Sequence, residues 1–191
     1  MKITRGDLRS IIREMLLKEE KYTSHTRSEV VAAVDRALEI LNINNGSLRT
    51  LMIRIARTES GGNPEGLGTI THHDYDPFQL DSSAVEAVQN NVNMRRWRKF
   101  VDDKKGPRPA AMGPIADQTL GEIEGNRILG ALFATLYVLW GLGAEGNGSS
   151  WYPGKSFSVP ATLEDQAAFW KKRYNTASGA GKVQDFIDKN R

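Results

Sequence analysis

The chain contains no cysteine. It therefore folds without disulfides and is indifferent to the redox state of its surroundings. No secretory signal is visible either. Lys2 and Arg5 lie near the start, but no apolar stretch follows them, so no signal peptide is expected. Long apolar runs are scarce. The longest, Ile128 to Leu142, is interrupted by Gly130, Thr135 and Gly141. It falls short of the ~20 residues that span a bilayer, so a core helix and no membrane span is expected. No stripe of Lys and Arg interleaved with aromatics appears outside Arg95-Arg96-Trp97-Arg98-Lys99, which argues against a nucleic-acid partner. Metal-ligand spacing is absent too. His72, His73 and Asp74 are adjacent in sequence, and neighbours rarely converge on one ion without ligands from elsewhere. No metal and no cofactor is expected. Internal repeats, low-complexity segments and strand-like alternation are likewise missing.

What remains is ordinary for a globular protein. The 191 residues are 39% hydrophobic and 26% charged, enough for one domain with a sizeable core. The net charge of +3 is mildly basic and suits an anionic cell envelope as a partner.

The pattern reads as mainly α. Thr4 with Asp7 resembles a capping box, and Leu8, Ile11, Ile12, Met15 and Leu16 follow at helical spacing. This N-terminal amphipathic helix, residues 1–22, is set off by Lys21-Tyr22-Thr23-Ser24 and reads as a docking appendage to a domain at 23–191. Thr26 and Glu29 suggest a second capping box, opening a helix to about Leu41. Ser47 is expected to cap the next helix, whose apolar face is Leu48, Leu51, Met52 and Ile55. Asp81 or Ser82 can cap another through Val85 and Val88. Residues 102–114 are polar and rich in Pro and Gly, as in a loop. One long helix is expected over about 115–142. Gly141, Gly143, Gly146, Gly148 and Gly154 then suggest a mobile loop carrying Trp151 and Tyr152. Thr162 opens a helix through Phe169, Trp170 and Tyr174, and Val183 to Lys189 closes the chain.

Chemistry concentrates at Ile55-Ala56-Arg57-Thr58-Glu59-Ser60-Gly61-Gly62-Asn63-Pro64. An amphipathic run ends in a carboxylate, and the backbone breaks at once. Such a helix delivers one acid to the lip of a cleft. Partial desolvation there disfavours the charged form and suits a general acid. The competing reading is an ordinary surface Glu. Further on lies Pro77-Phe78-Gln79-Leu80-Asp81.

Together these segments resemble the lysozyme-like peptidoglycan-cleaving superfamily, the lytic transglycosylases and goose-type lysozymes, over residues 47–90. In that family a helix ending in Glu-Ser precedes a glycine-rich loop, and a Met-Gln-Ile/Val stretch follows about twenty residues later. The resemblance implies a lysozyme-like helical domain, with a small β-hairpin around 66–80. It implies cleavage of the β-1,4 glycosidic bonds of peptidoglycan with Glu59 as general acid. An assisting carboxylate would be Asp81, which directly follows Gln79-Leu80, or Asp76. Helix capping for Asp81 and a turn role for Asp76 before Pro77 are the structural alternatives. With a second acid the enzyme is a muramidase. Without one, Glu59 acts as acid and then base, the transglycosylase route. The resemblance puts Ser60 and Gln79 in the cleft, and Tyr137 near the acid unless it is a core tyrosine. Trp151 and Tyr152 either stack on sugars or fold back as a plug.

The opening segment, Met1 to Ile12, resembles N-termini of tailed-phage proteins. It implies a phage-encoded protein, in the virion or host cell, acting at the bacterial wall, with other virion proteins as partners of the N-terminal helix. A non-catalytic structural virion protein on the same fold is the alternative.

Overall fold

A computed structural model of the chain describes residues 25–60, 66–67, 77–103, 113–146, 148–175 and 179–191. The expected N-terminal helix, Asp76, and His72, His73 and Asp74 lie outside them. The protein is mainly helical. Its α-helices are α1 (Arg27–Leu41), α2 (Gly46–Glu59), α3 (Ser82–Asn90), α4 (Arg95–Asp103), α5 (Leu120–Glu124), α6 (Arg127–Ala144), α7 (Leu163–Phe169) and α8 (Val183–Asn190). Short 3-10 turns occupy Val92–Met94 and Ile115–Asp117, and a π turn, Trp170–Tyr174, continues α7.

The core is organised on α6. Thirteen of its 18 residues are buried. By length and composition α6 is apolar enough to cross a membrane, yet 72% of it is buried inside the protein. Helix α1 makes the most extensive packing against it. Val30, Ala33, Val34, Ala37, Leu38 and Leu41 of α1 are buried at steps of three and four, the period of one helix face. Each fully buried Leu or Phe, such as Leu132, Phe133 and Leu136, contributes about 1.5–3 kcal/mol. The Arg127–Glu29 ion pair at the start of α6, 3.0 Å long and partly exposed, adds ~0–1 kcal/mol at most. Packing therefore holds α1 to α6, and the ion pair only trims their register.

Several local expectations change. Helix α2 is capped by Asn45, whose side chain accepts from the Leu48 N–H at 2.9 Å, so it begins before Ser47. The expected long helix over 115–142 is three pieces. Thr119 and Glu122 form a capping box that starts α5. Gly125 ends it, and Asn126 accepts from the N–H groups of Ile128 and Leu129 to start α6. Two caps in eight residues outweigh the apolar continuity. Gly66–Leu67 pairs antiparallel with His25–Thr26, and residues 68–76 of the expected hairpin lie outside the described residues.

The segment after α6 is tied down and not the mobile loop its glycines suggest. Trp97, buried on α4, donates its indole N–H to the Ser150 carbonyl at 2.6 Å. Ser150 is itself buried and donates to the Leu139 carbonyl at 2.9 Å. Gly148 bridges to Phe157 at φ +82, a conformation that L side chains rarely adopt.

Candidate functional site

The last turn of α2 ends at Glu59 and Ser60, and three distant segments close over it. Helix ends leave carbonyls without intrahelical partners. Here side chains supply them. Lys189 of α8 donates to the Thr58 carbonyl at 2.8 Å, and Asn190 donates to Thr58 Oγ1 at 2.9 Å and to the Arg54 carbonyl at 3.3 Å. Gln79 donates its amide to the Glu59 carbonyl at 2.6 Å. Trp170, from the π turn, donates its indole N–H to Glu59 Oε1 at 2.6 Å.

The Glu59 side chain is half-buried, with the fully buried Trp170 ring beside it. An indole N–H is a donor only, so Oε1 serves as acceptor. A transferable proton on this carboxyl would sit on Oε2. A π turn inside a helical segment is rare and is frequently found at functional sites. Here it places Trp170 and Tyr174 together on the site.

Gln79 has φ +47, the left-handed region. A non-glycine residue held there costs on the order of 1–3 kcal/mol and persists where surrounding contacts impose it. Its bond to Glu59 is one such contact. A second holds the residue before it: Tyr174 donates its hydroxyl to the Phe78 carbonyl at 2.8 Å. The Tyr174 ring meets Tyr137 edge to face at 5.7 Å, and Tyr137 stacks on Trp140 at 5.4 Å. Burial, and after it the negative charge of Asp81, push the Tyr137 phenol above its ordinary range, against Arg173. The hydroxyl therefore stays protonated through the neutral range.

Asp81 caps α3. Its Oδ1 accepts from the Ala84 N–H at 2.8 Å and from the Ser83 hydroxyl at 2.7 Å. The side chain is exposed, and its charge is felt at Tyr137. Ser60 is buried, and its hydroxyl donates back to the Ala56 carbonyl of its own helix at 2.6 Å. That proton is spent within α2, so Ser60 shapes the helix end.

Thus Glu59, Gln79 and Tyr137 are linked by a chain of contacts through Trp170, Tyr174 and Phe78, and Asp81 reaches it only through its charge at Tyr137. Trp151 and Tyr152 are not among them. The Trp151 indole N–H donates to the Trp140 carbonyl at 3.0 Å, and its ring lies so close over α6 that a Cβ on Gly143 would meet it at 2.1 Å. Trp151 folds back on the helix, and its polar edge is not offered to a ligand. Tyr152 is exposed, with the Arg96 guanidinium 4.3 Å from its ring centre. In the sequence Trp170 and Tyr174 read as helix residues and no more. The signal available was general: a buried Trp or Tyr needs a partner for its N–H or O–H. Comparison with known proteins gave no match, neither to a protein-family model nor to a curated protein or a solved structure.

Proposed function

We propose that the protein cleaves the glycan strand of peptidoglycan, with Glu59 as the general acid of a lysozyme-like site. The observation that supports this best is the pairing of Trp170 and Gln79 on Glu59. Segments far apart in sequence converge on this one residue at a helix end: the Trp170 indole meets its half-buried carboxylate, and Gln79, whose backbone is strained, meets its main-chain carbonyl. Glu59 protonates the glycosidic oxygen as the C1–O bond breaks, leaving an oxocarbenium-like centre. In the transglycosylase course, the 6-hydroxyl of the same sugar attacks C1 and returns its proton to Glu59, giving a 1,6-anhydro product. In the muramidase course, a carboxylate directs water to C1 and a reducing end forms. The capping bonds to Asp81 Oδ1 favour the first course, since they give Asp81 a structural task.

The second reading is a non-catalytic virion protein with this fold. The inward-turned Ser60 hydroxyl and the Asp81 cap favour it, because both groups serve packing. Mass spectrometry of digested peptidoglycan separates these readings. Anhydro-sugar ends support Glu59 acting alone, and reducing ends support an assisting acid. Intact glycan from a folded protein overturns the enzymatic reading.

A further inference from the structure

A second feature lies along α6 from Glu59. A row of aromatic contacts runs from Tyr174 through Tyr137 to Trp140, and the Trp140 carbonyl holds Trp151. Gly143, beneath Trp151, is six residues beyond Tyr137, or roughly 9 Å along the helix. There an open groove of about 240 Å³ is lined by Val92, Asn93, Arg95, Arg96, Trp151 and Tyr152. It is smaller than the ~300–1,000 Å³ of drug-sized sites, and suits one ring-sized group.

The charges in this groove are not explained by folding. Arg95, Arg96 and Arg98 all lie in the first turn of α4, where the helix dipole disfavours cations. Arg98 is used: it donates to the carbonyls of Val88 and Asn91, both at 2.8 Å. Arg95 and Arg96 have no carboxylate partner among the described residues. The guanidinium carbon of the exposed Arg96 lies 4.3 Å over the Tyr152 ring centre, a cation–π contact that restrains the planar fork. A fork fixed in this way loses little entropy on meeting a carboxylate. Beside it the groove offers the half-buried Trp151 ring as an apolar face, the Asn93 amide and the exposed Val92. A planar cation, an apolar ring face and an amide together match a sugar that bears a carboxylate. A volume of about 240 Å³ is too small for an extended acidic peptide.

We infer that the groove formed by Arg95, Arg96, Trp151 and Tyr152 is a binding subsite for the carboxylated sugar of an acidic glycan, separate from Glu59. The choice of glycan rests on the function proposed above: in peptidoglycan the muramic acid bears a lactyl carboxylate and the alternating glucosamine does not. The subsite itself needs no cleavage.

The test uses the full chain carrying Glu59→Gln, followed by NMR of its indole N–H groups, with the Trp151 signal assigned through Trp151→Phe. N-acetylmuramic acid is expected to shift the Trp151 signal and to bind about tenfold more tightly than N-acetylglucosamine. Arg96→Ala should abolish that preference, and Arg96→Lys, which keeps the charge but loses the planar fork, should reduce it. Equal affinity for the two sugars overturns the inference, as does an unchanged preference in Arg96→Lys. Acetate matching muramic acid in affinity overturns it too, since the anion alone then suffices. A carboxylate preference in a wild-type protein that yields no glycan products keeps the subsite and removes the enzymatic reading. Cleavage without the preference does the reverse.

Discussion

Glu59 carries the proposed chemistry, and its neighbours divide the work of holding it. Glu59→Gln keeps the size and the acceptor that Trp170 needs, but it removes the transferable proton. Wall clearing should fall at least ~100-fold while the circular dichroism is unchanged. A mutant as active as the parent sinks the assignment. Trp170→Phe keeps an aromatic ring but removes the N–H that fixes Glu59 Oε1, and its smaller ring leaves a cavity whose cost a thermal melt reads separately. Its turnover should drop roughly 10- to 100-fold through misplacement of the carboxyl, with KM little changed. A change confined to KM would argue that Trp170 binds substrate directly. The place of Glu59 at a helix end is legible in the sequence because a helix period and a backbone break meet there. That of Trp170 is not, since nothing local to Trp-Lys-Lys-Arg-Tyr says which distant oxygen its indole will find.

At the scale of elements, the helix faces were legible and the helix ends less so. The buried positions of α1 and α2 follow their apolar period directly. The start of α2 moved to Asn45, and the stretch before α6 broke at Gly125-Asn126, because single capping bonds decide ends while periodicity averages over turns. Asp81 tests which of two tasks an end residue performs. Asn caps a helix about as well as Asp, whereas Ala does not. Asp81→Asn should therefore melt with the parent, and Asp81→Ala should lose ~0.5–2 kcal/mol. If Asp81 serves only as a cap, product release by Asp81→Asn equals the parent's. A turnover loss in Asp81→Asn at unchanged stability makes Asp81 the assisting acid, with reducing ends as the expected product.

Across the whole molecule, a charge cluster joins the end of α6 to the π turn. Glu145 accepts from Lys172 at 2.9 Å and from Arg173. Lys172 first, and Arg173 with it, hold the Glu145 carboxyl below its ordinary range, against a smaller opposing effect of burial. A carboxyl depressed in the folded state stabilises the fold at pH values above its unfolded value, ~4.3. That contribution fades as pH falls through the folded value. Thermal melts of the parent and Glu145→Gln should therefore differ at pH 7 and converge as the pH drops toward 3. A difference that persists at low pH would assign the effect to packing. The pinning of Trp151 and Ser150 escaped sequence reading for the same reason as Trp170. Glycine content signals freedom of the backbone, while the bonds that remove it, from Trp97 and to Leu139, come from other helices.

The burial of α6 has a consequence for how the chain is made. Its main partner, α1, leaves the ribosome well ahead of it, with residues 42–126 between them. At the usual pace of synthesis that interval is roughly 4–17 s, long beside the submicrosecond formation of a helix. The most apolar segment thus emerges toward partners already synthesised. Rearranging the gene so that α6 is translated before α1 should leave the native contacts possible and send more of the product into aggregates.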